Sequence, residues 1–319
     1  MPSQAASKRE IVYSKRRKGA SLTHKSSLGL TRGLSSSRMV SMNRLPQAKR
    51  VQVVRALVEG NSIRATVRTP GVAKNTVTKL LVELGQTCSE YQDEKLRGLT
   101  CRKVQCDEIW AFCYAKAANV PAEHKGEFGY GDVWTWVALD ADSKLVPTWL
   151  LGDRSTADAT VFIQDLADRI VNRIQLTTDG HRPYLEAVEG AFGAEIDYAM
   201  LIKLYGAPPE AERRYSPPEC IRAKPHRIQG NPDPRYVSTS YIERQNLTMR
   251  MAMRRFTRLT NGFSKKAENL AAAVSLHFMH YNFARPHKSL ADPYPRTPAM
   301  AAGVADHVWS VEEIVALLG

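Results

Sequence analysis

Three acidic residues carry the chemistry that can be read from this chain: Asp107 in Val-Gln-Cys-Asp-Glu-Ile-Trp, Asp179 in Gln-Leu-Thr-Thr-Asp-Gly-His and Glu243 in Ser-Tyr-Ile-Glu-Arg-Gln-Asn. Each lies where an apolar, strand-like run ends or a helix begins, and the three are far apart in sequence. That is how a fold gathers carboxylates from separate elements into one cluster. Carboxylate oxygens suit hard divalent cations, and a cluster of three could hold two such ions, the arrangement that drives in-line displacement at phosphorus.

Each acid also has a plainer reading. Successive strand residues face opposite sides, so only one of the adjacent Asp107 and Glu108 is expected at a given site, and either could be a solubilising edge charge. Asp179-Gly180 is a common turn pair, but a strand's carboxyl end is where open α/β sheets place ligands. Ser240-x-x-Glu243 fits a capping box, in which the glutamate serves a backbone donor. Arg250 follows Glu243 by two helical turns on the same face, where a cation could touch a phosphate, and Asn246 follows it by one.

The whole composition bounds the partners. The 319 residues suffice for about two domains and carry a net charge of +13, with a pI near 9.6. A polyanion such as nucleic acid is the expected partner, although an anionic membrane surface would fit the charge alone. Ten Lys or Arg face the single Glu10 in the first 44 residues, so nine of the thirteen net charges belong to that end. Residues 1–43 therefore read as a basic, flexible tail. Cys88, Cys101, Cys106, Cys113 and Cys220 are odd in number and form no Cys-x-x-Cys pair, which predicts free, mostly buried thiols and no zinc. No run reaches the roughly 20 apolar residues of a membrane span, so a soluble, cytoplasmic protein is expected.

The positioning elements are read from periodicity. Residues 44–86 predict three helices: Val51, Val54, Leu57 and Val58 form one stripe, Ser62 caps a short second helix, and a turn at Pro70-Gly71-Val72 leads into a third with Val77, Leu80, Leu81 and Leu84. This is a helix-turn-helix pattern, similar to those of resolvases and many transposases. Lys74, Asn75, Thr76, Thr78 and Lys79 would be the exposed face of its recognition helix. Residues 87–102 are polar and read as a linker. Next come strands over Lys103 to Tyr114, Val133 to Leu139 and Leu145 to Leu151, a helix after Ser155, a strand from Gln175, a helix over Pro183 to Glu189 and a strand over Glu195 to Leu201. A long helix is expected from Glu243 through Arg250, Arg254, Arg255 and Arg258, and another over Ser264 to Phe283. Residues 301–319 form a C-terminal helix and tail.

That order of meander, helix, strand, helix, strand, with acids on the first strand, after the fourth and on a later helix, resembles the ribonuclease H-like catalytic domain of DDE transposases over 103–300. The strings Asp107-Glu-Ile-Trp110, Thr178-Asp-Gly-His181 and Tyr241-Ile-Glu-Arg-Gln-Asn246 are most similar to transposases of the bacterial insertion sequence 1 family. Tyr281-Asn-Phe-Ala-Arg-Pro-His287 resembles a C-terminal segment that many such enzymes share, which makes Arg285 and His287 candidate DNA contacts. The resemblance selects Asp107 over Glu108. It implies an α/β catalytic domain behind a helical DNA-binding domain, and Asp107, Asp179 and Glu243 as metal ligands and catalytic residues. It further implies two Mg²⁺ ions, for which Mn²⁺ can stand in, and a homodimer or larger assembly on double-stranded DNA, the transposon ends and the target. The zinc finger frequent in that family is missing here. Two other classes stay open: a catalytically inactive, domesticated DNA-binding regulator, and a metal-dependent nuclease of the same fold.

Overall fold

The computed structural model describes residues 44–206, 220–257 and 261–319; the tail expected over 1–43 and Arg258 lie outside them. Helices α1 (Gln47–Val58), α2 (Ile63–Arg68) and α3 (Lys74–Lys95) open the described chain. The Ser62 hydroxyl accepts from Ala65 N at the start of α2, and Gly71 takes up positive φ in the turn after it. Helix α3 runs on through most of the stretch expected as a linker. Its polar residues there are not solvated spacer. Gln92 is buried and donates to the carbonyl of Ser275, while Asp93 pairs with the buried Arg169.

Strands β1 (Lys103–Cys113), β2 (Gly131–Asp140) and β3 (Trp149–Gly152) form an antiparallel meander. Helix α4 (Thr156–Ala167), β4 (Ile174–Asp179), α5 (Pro183–Phe192), β5 (Ile196–Tyr205) and β6 (Cys220–Gln229) complete a six-stranded mixed sheet in the order β3-β2-β1-β4-β5-β6, with β1, β4 and β5 parallel. The α/β class and the element order match expectation, with two differences. Strand β3 begins later than Leu145, because both backbone polar groups of Val146 are taken by the Asn282 amide instead of by a strand neighbour. Strand β6 was not foreseen: nine of its ten residues are exposed, so it has no apolar alternation to read.

One sheet face carries α4 and α5, packed through Trp136, Phe162 and Tyr184. The other carries α6 (Ser240–Ala252), which packs on β1 and β2, and α7 (Ala267–Met279) lies against α3. Helix α6 ends at Ala252, short of the arginine run expected to continue it. Met253 turns to an extended conformation and, with Phe256, is buried. Gly60 explains why the helix end fits there: a Cβ at that residue would stand 2.6 Å from the Ala252 carbonyl oxygen, and its φ is positive. Helices α8 (Pro298–Ala301) and α9 (Val311–Ala316) close the chain, the latter with a capping box between Ser310 and Glu313. Cys88, Cys101, Cys106 and Cys113 are free and buried, whereas Cys220 is exposed on β6. Among the described residues no helix is long and apolar enough to cross a membrane.

One hydrophobic core runs through the N-terminal helices, the sheet and α7. The tightest joint is Gly85 of α3 against Ala272 of α7, where a built Cβ would lie 2.5–2.6 Å from Ala272 backbone and side-chain atoms. Replacing a mid-helix glycine with alanine ordinarily gains about 1 kcal/mol of helix propensity, whereas overpacking a close joint costs about 1–3 kcal/mol. We expect the second effect to win: Gly85→Ala should lower stability by about 1 kcal/mol or more in denaturant titration, and a stabilised variant would show that the two helices have slack.

Candidate active site

The acids come together where the two central strands of the sheet, β1 and β4, part. Strand β1 pairs with β4 only from Lys103↔Gln175 to Cys106↔Thr178, so Asp107 and Asp179 are the next positions in register, where β4 stops. Asp107 Oδ1 accepts from Glu108 N at 2.9 Å, and its Oδ2 accepts from Asn246 Nδ2 of α6 at 2.8 Å. Asp179 Oδ1 accepts from His181 N at 2.9 Å, so Asp179 shapes its own turn and still faces the cluster.

Glu108 belongs to the cluster as well. Asp107, Glu108 and Asp179 can each present an oxygen within 4.8 Å of the other two. Strand alternation is nevertheless obeyed: Asp107 reaches towards α6, while Glu108 reaches Arg154 on the opposite face, with Nε to Oε2 at 3.0 Å. The two can meet Asp179 because no strand covers β1 beyond Cys106 on that side. The expectation that only one of them could serve the site is thus corrected by where β4 ends. Arg154 also lies 3.7 Å from Asp179 Oδ2 and stacks over Trp134 at 4.9 Å. Tyr184 stands beside Glu108 and favours its charged form, without a hydrogen bond of normal geometry between them.

Glu243 stands at the edge of this group. Its charge is felt by Asp107, but its Oε1 accepts from Lys203 Nζ of β5 and from the Thr239 hydroxyl. The capping box expected around it is not formed. Thr239, not Ser240, occupies the cap position, and Glu243 accepts from side chains instead of a backbone amide. The first amides of α6 are served by a residue the sequence did not single out: Gln105 Oε1 accepts from both Tyr241 N and Ile242 N at 3.0 Å. Gln105 is buried on β1, two residues before Asp107 and on the same face.

The electrostatics agree with a site built for cations. Burial, then the Asp179 charge, pushes the Asp107 carboxyl up to about 6. Burial and Asp179 likewise push Glu108 up to about 7, against the pull of Arg154. The Glu108 Oε1 is buried without a partner. Three converging carboxylates, two of them reluctant to ionise without compensation, form a donor set that fits a hard divalent ion. The two principal cavities, about 450 and 580 Å³, are lined by none of the four acids. The cluster instead lies between the two central strands, at the point where β1 and β4 part.

The remaining candidates divide. Lys74, Asn75, Thr76 and Lys79 are exposed on the first turns of α3, and the Thr78 hydroxyl donates to the Lys74 carbonyl. Asn246 is buried and committed to Asp107, so it is not a surface contact. Arg250 is half-buried on α6 and Arg254 is exposed beyond its end. Arg255 turns inward to Ser264, donating at 2.6 Å, and burial pulls its titration down. The three do not share one helical face, since α6 carries Arg250 but stops before Arg254 and Arg255. Arg285 is exposed; His287 accepts from Ser289 N in a short 3₁₀ turn. In the same segment the Tyr281 hydroxyl donates to the Lys144 carbonyl and Asn282 clamps Val146, so Tyr281 and Asn282 brace the β2–β3 connection.

No known protein-family model and no curated protein sequence matches this chain. Among solved structures it is similar to the piggyBac transposase synaptic complex with hairpin DNA, at 10% identity and a TM-score of 0.36 over 85% of this chain and 69% of that one. It is also similar to the Mos1 mariner paired end complex with Mn, at 10% identity and a TM-score of 0.25 over 80% of this chain and 79% of that one. Likenesses this faint bear no weight for the chemistry, which rests on the carboxylates themselves.

The raised carboxyls set a pH dependence opposite to that of ion-paired acids. The folded chain keeps protons on Asp107 and Glu108 that the unfolded chain releases near pH 4, so stability falls as pH rises from about 4 to about 7. Ionised carboxylates bind cations, and a ligand at a hundred times its Kd adds about 2.7 kcal/mol. Thermal melts of the cation-free protein should therefore show a lower Tm at pH 8 than at pH 5.5, with Mg²⁺ restoring Tm at pH 8 far more than at pH 5.5. Asp107→Asn/Glu108→Gln should remove both trends, and an equal Mg²⁺ effect at the two pH values would place cation binding elsewhere.

Proposed function

We propose that the chain is a DNA transposase of the DDE type, with a ribonuclease H-like catalytic domain over 103–300 and Asp107, Asp179 and Glu243 as its catalytic acids. The observation that supports the proposal most is the register of Asp107 and Asp179 where the parallel pairing of β1 and β4 ends, with α6 docked on the same sheet face as Asp107 and carrying Glu243. The net charge of +13 gives the cluster a polyanion to act on. The α1–α3 helices, with Lys74, Asn75, Thr76, Thr78 and Lys79 exposed or half-exposed on the third, are assigned to recognition of the element's ends. A dimer or larger assembly would hold two ends together.

In this reading Asp107 and Asp179 hold the divalent ions, Mg²⁺ in the cell and Mn²⁺ as a substitute. Bound there, the ions would acidify a water or a terminal 3′ hydroxyl and neutralise the leaving oxygen. The chain's own residues do the positioning. Asn246 fixes the Asp107 carboxylate and leaves each oxygen a second lone pair. The Asp179 turn holds its carboxylate against β1. Arg154 and Lys203 balance acidic charge that would otherwise repel itself. Water as nucleophile gives cleavage, and a 3′ hydroxyl gives joining, at one site.

A second reading is favoured by one observation: the three acids that share a 4.8 Å group are Asp107, Glu108 and Asp179. There Glu108 is the third ligand and Glu243 only an ion-pair partner of Lys203. Cleavage and strand-transfer assays on end-bearing DNA separate the two. Asp107→Asn and Asp179→Asn should each cut both reactions by roughly a thousandfold, on the scale of losing a preorganised electrostatic group, with DNA affinity nearly unchanged. Glu243→Gln should match them while Glu108→Gln retains most activity. The reverse ranking would transfer the role to Glu108, and full activity of Asp107→Asn would end the proposal.

A further inference from the structure

Resting on the assignment of DNA as substrate, we infer that the β5–β6 ribbon is a phosphate-binding arm for duplex DNA at the edge of the sheet. Strand β6, Cys220–Gln229, carries Arg222, Lys224, His226 and Arg227 and not one acid. Directly paired residues of an antiparallel ribbon share a face, and the register pairs Leu204 with Arg222, Ile202 with Lys224 and Met200 with His226. Arg222, Lys224 and His226 thus form a row on one face, spaced about 6.8 Å apart at the usual strand rise of about 3.4 Å per residue. A DNA strand carries one phosphate per about 3.4 Å of helix axis, so successive residues of the row can meet every second phosphate.

The row stands on the sheet face opposite to Asp179 and Lys203, next to the turn that follows Asp179. Ile202, opposite Lys224, lies beside Gly180, where a built Cβ would be 3.7 Å from the Ile202 side chain, and Gly180 comes directly after Asp179. On the reverse face of the same strand Lys203 holds Glu243. Arg173, Arg235 and Lys203 nearby are ion-paired, and Arg227 lies close enough to pull on Asp197, but no described acid pairs with Arg222 or Lys224. An edge strand also needs protection against pairing with other sheets, and a lysine or proline is the common device. Lys224 and Pro225 would suffice for that. They account neither for the further cations nor for Ile221 standing 72% exposed among them.

The test is the salt dependence of affinity for a duplex of about 30 base pairs, long enough to span several phosphate contacts, by fluorescence anisotropy on the full chain in EDTA so that no cleavage intervenes. Loss of two phosphate contacts should make the log–log salt slope of Arg222→Ala/Lys224→Ala shallower by about 1.8, with affinity falling some tens-fold at about 0.1 M salt. Lys116→Ala/Lys125→Ala, exposed cations on the loop between β1 and β2, should keep the parental slope. Unchanged circular-dichroism melts would exclude misfolding as the cause. If the parent binds duplex and the ribbon variant keeps the same slope, the arm is wrong and the proposed function stands. If the parent binds no duplex at all, the proposed function falls and takes the arm with it.

Discussion

Helix α6 is held to β1 by two polar side chains, Gln105 and Asp107, and the candidate site exists only because of that joint. A helix start leaves backbone N–H groups with no partner in the helix, and burying one unpaired costs about 1–3 kcal/mol. Gln105 answers two of them at Tyr241 and Ile242, and Asp107 answers the Asn246 amide further along. Both anchors stand on one strand face two residues apart, so they fix the helix in rotation as well as in position. An apolar contact could slide by a turn; these hydrogen bonds cannot. Glu243 lies one turn before Asn246 on the same face, so the joint that secures the helix also aims its glutamate.

The same joint concentrates negative charge, and the surroundings answer it in layers. Glu108 is nearly inaccessible, its side chain 1% exposed, and is met by Arg154, whose guanidinium is itself stacked on Trp134 and near Asp179. Glu243 is met by Lys203 from β5. Among the described residues no cation pairs with Asp107, which has only two hydrogen-bond donors, and burial and Asp179 push its carboxyl up to about 6. The uncompensated position is thus the central one. Behind it, the glycine joint between α3 and α7 makes the N-terminal helices part of the same core.

Much of this was legible in the chain. The meander, α4 with its Ser155 cap, β4 and α5 follow from alternation, capping and punctuation, and Asp179 follows from its place at the end of β4, whereas Asp107 lies in the middle of β1 and not at a strand end. What failed has physical causes. Polar residues from Gln86 to Lys95 suggested a linker, but Gln92 and Asp93 spend their polarity on the Ser275 carbonyl and on Arg169, partners distant in sequence. Strand β6 buries nothing, so no periodicity betrays it. Helix α6 stops at Ala252 because Gly60 receives its end, again a tertiary cause. Gln105 was missed since a lone glutamine in an apolar strand has no local signature; only its position two residues before Asp107 could have suggested a shared face.

The two glutamates differ in what it costs to recruit them, and that difference bears on which one completes a cation site. Glu243 is 43% exposed on its side chain, and its partner Lys203 is on the ribbon near solvent. Such a pair is worth about 0–1 kcal/mol, so an arriving divalent ion can displace Lys203 at little expense. Glu108 is different. Breaking its buried pair leaves Arg154 with only the 3.7 Å contact to Asp179, a cost on the order of 3–5 kcal/mol for a buried partner, reduced by that contact and because Arg154 is itself 38% exposed. Glu108 already lies within 4.8 Å of Asp107 and Asp179, whereas Glu243 would have to leave Lys203 to join them. On the proposed reading Glu243 is therefore the ligand that moves, and Glu108 is the fixed charge that pairs with Arg154.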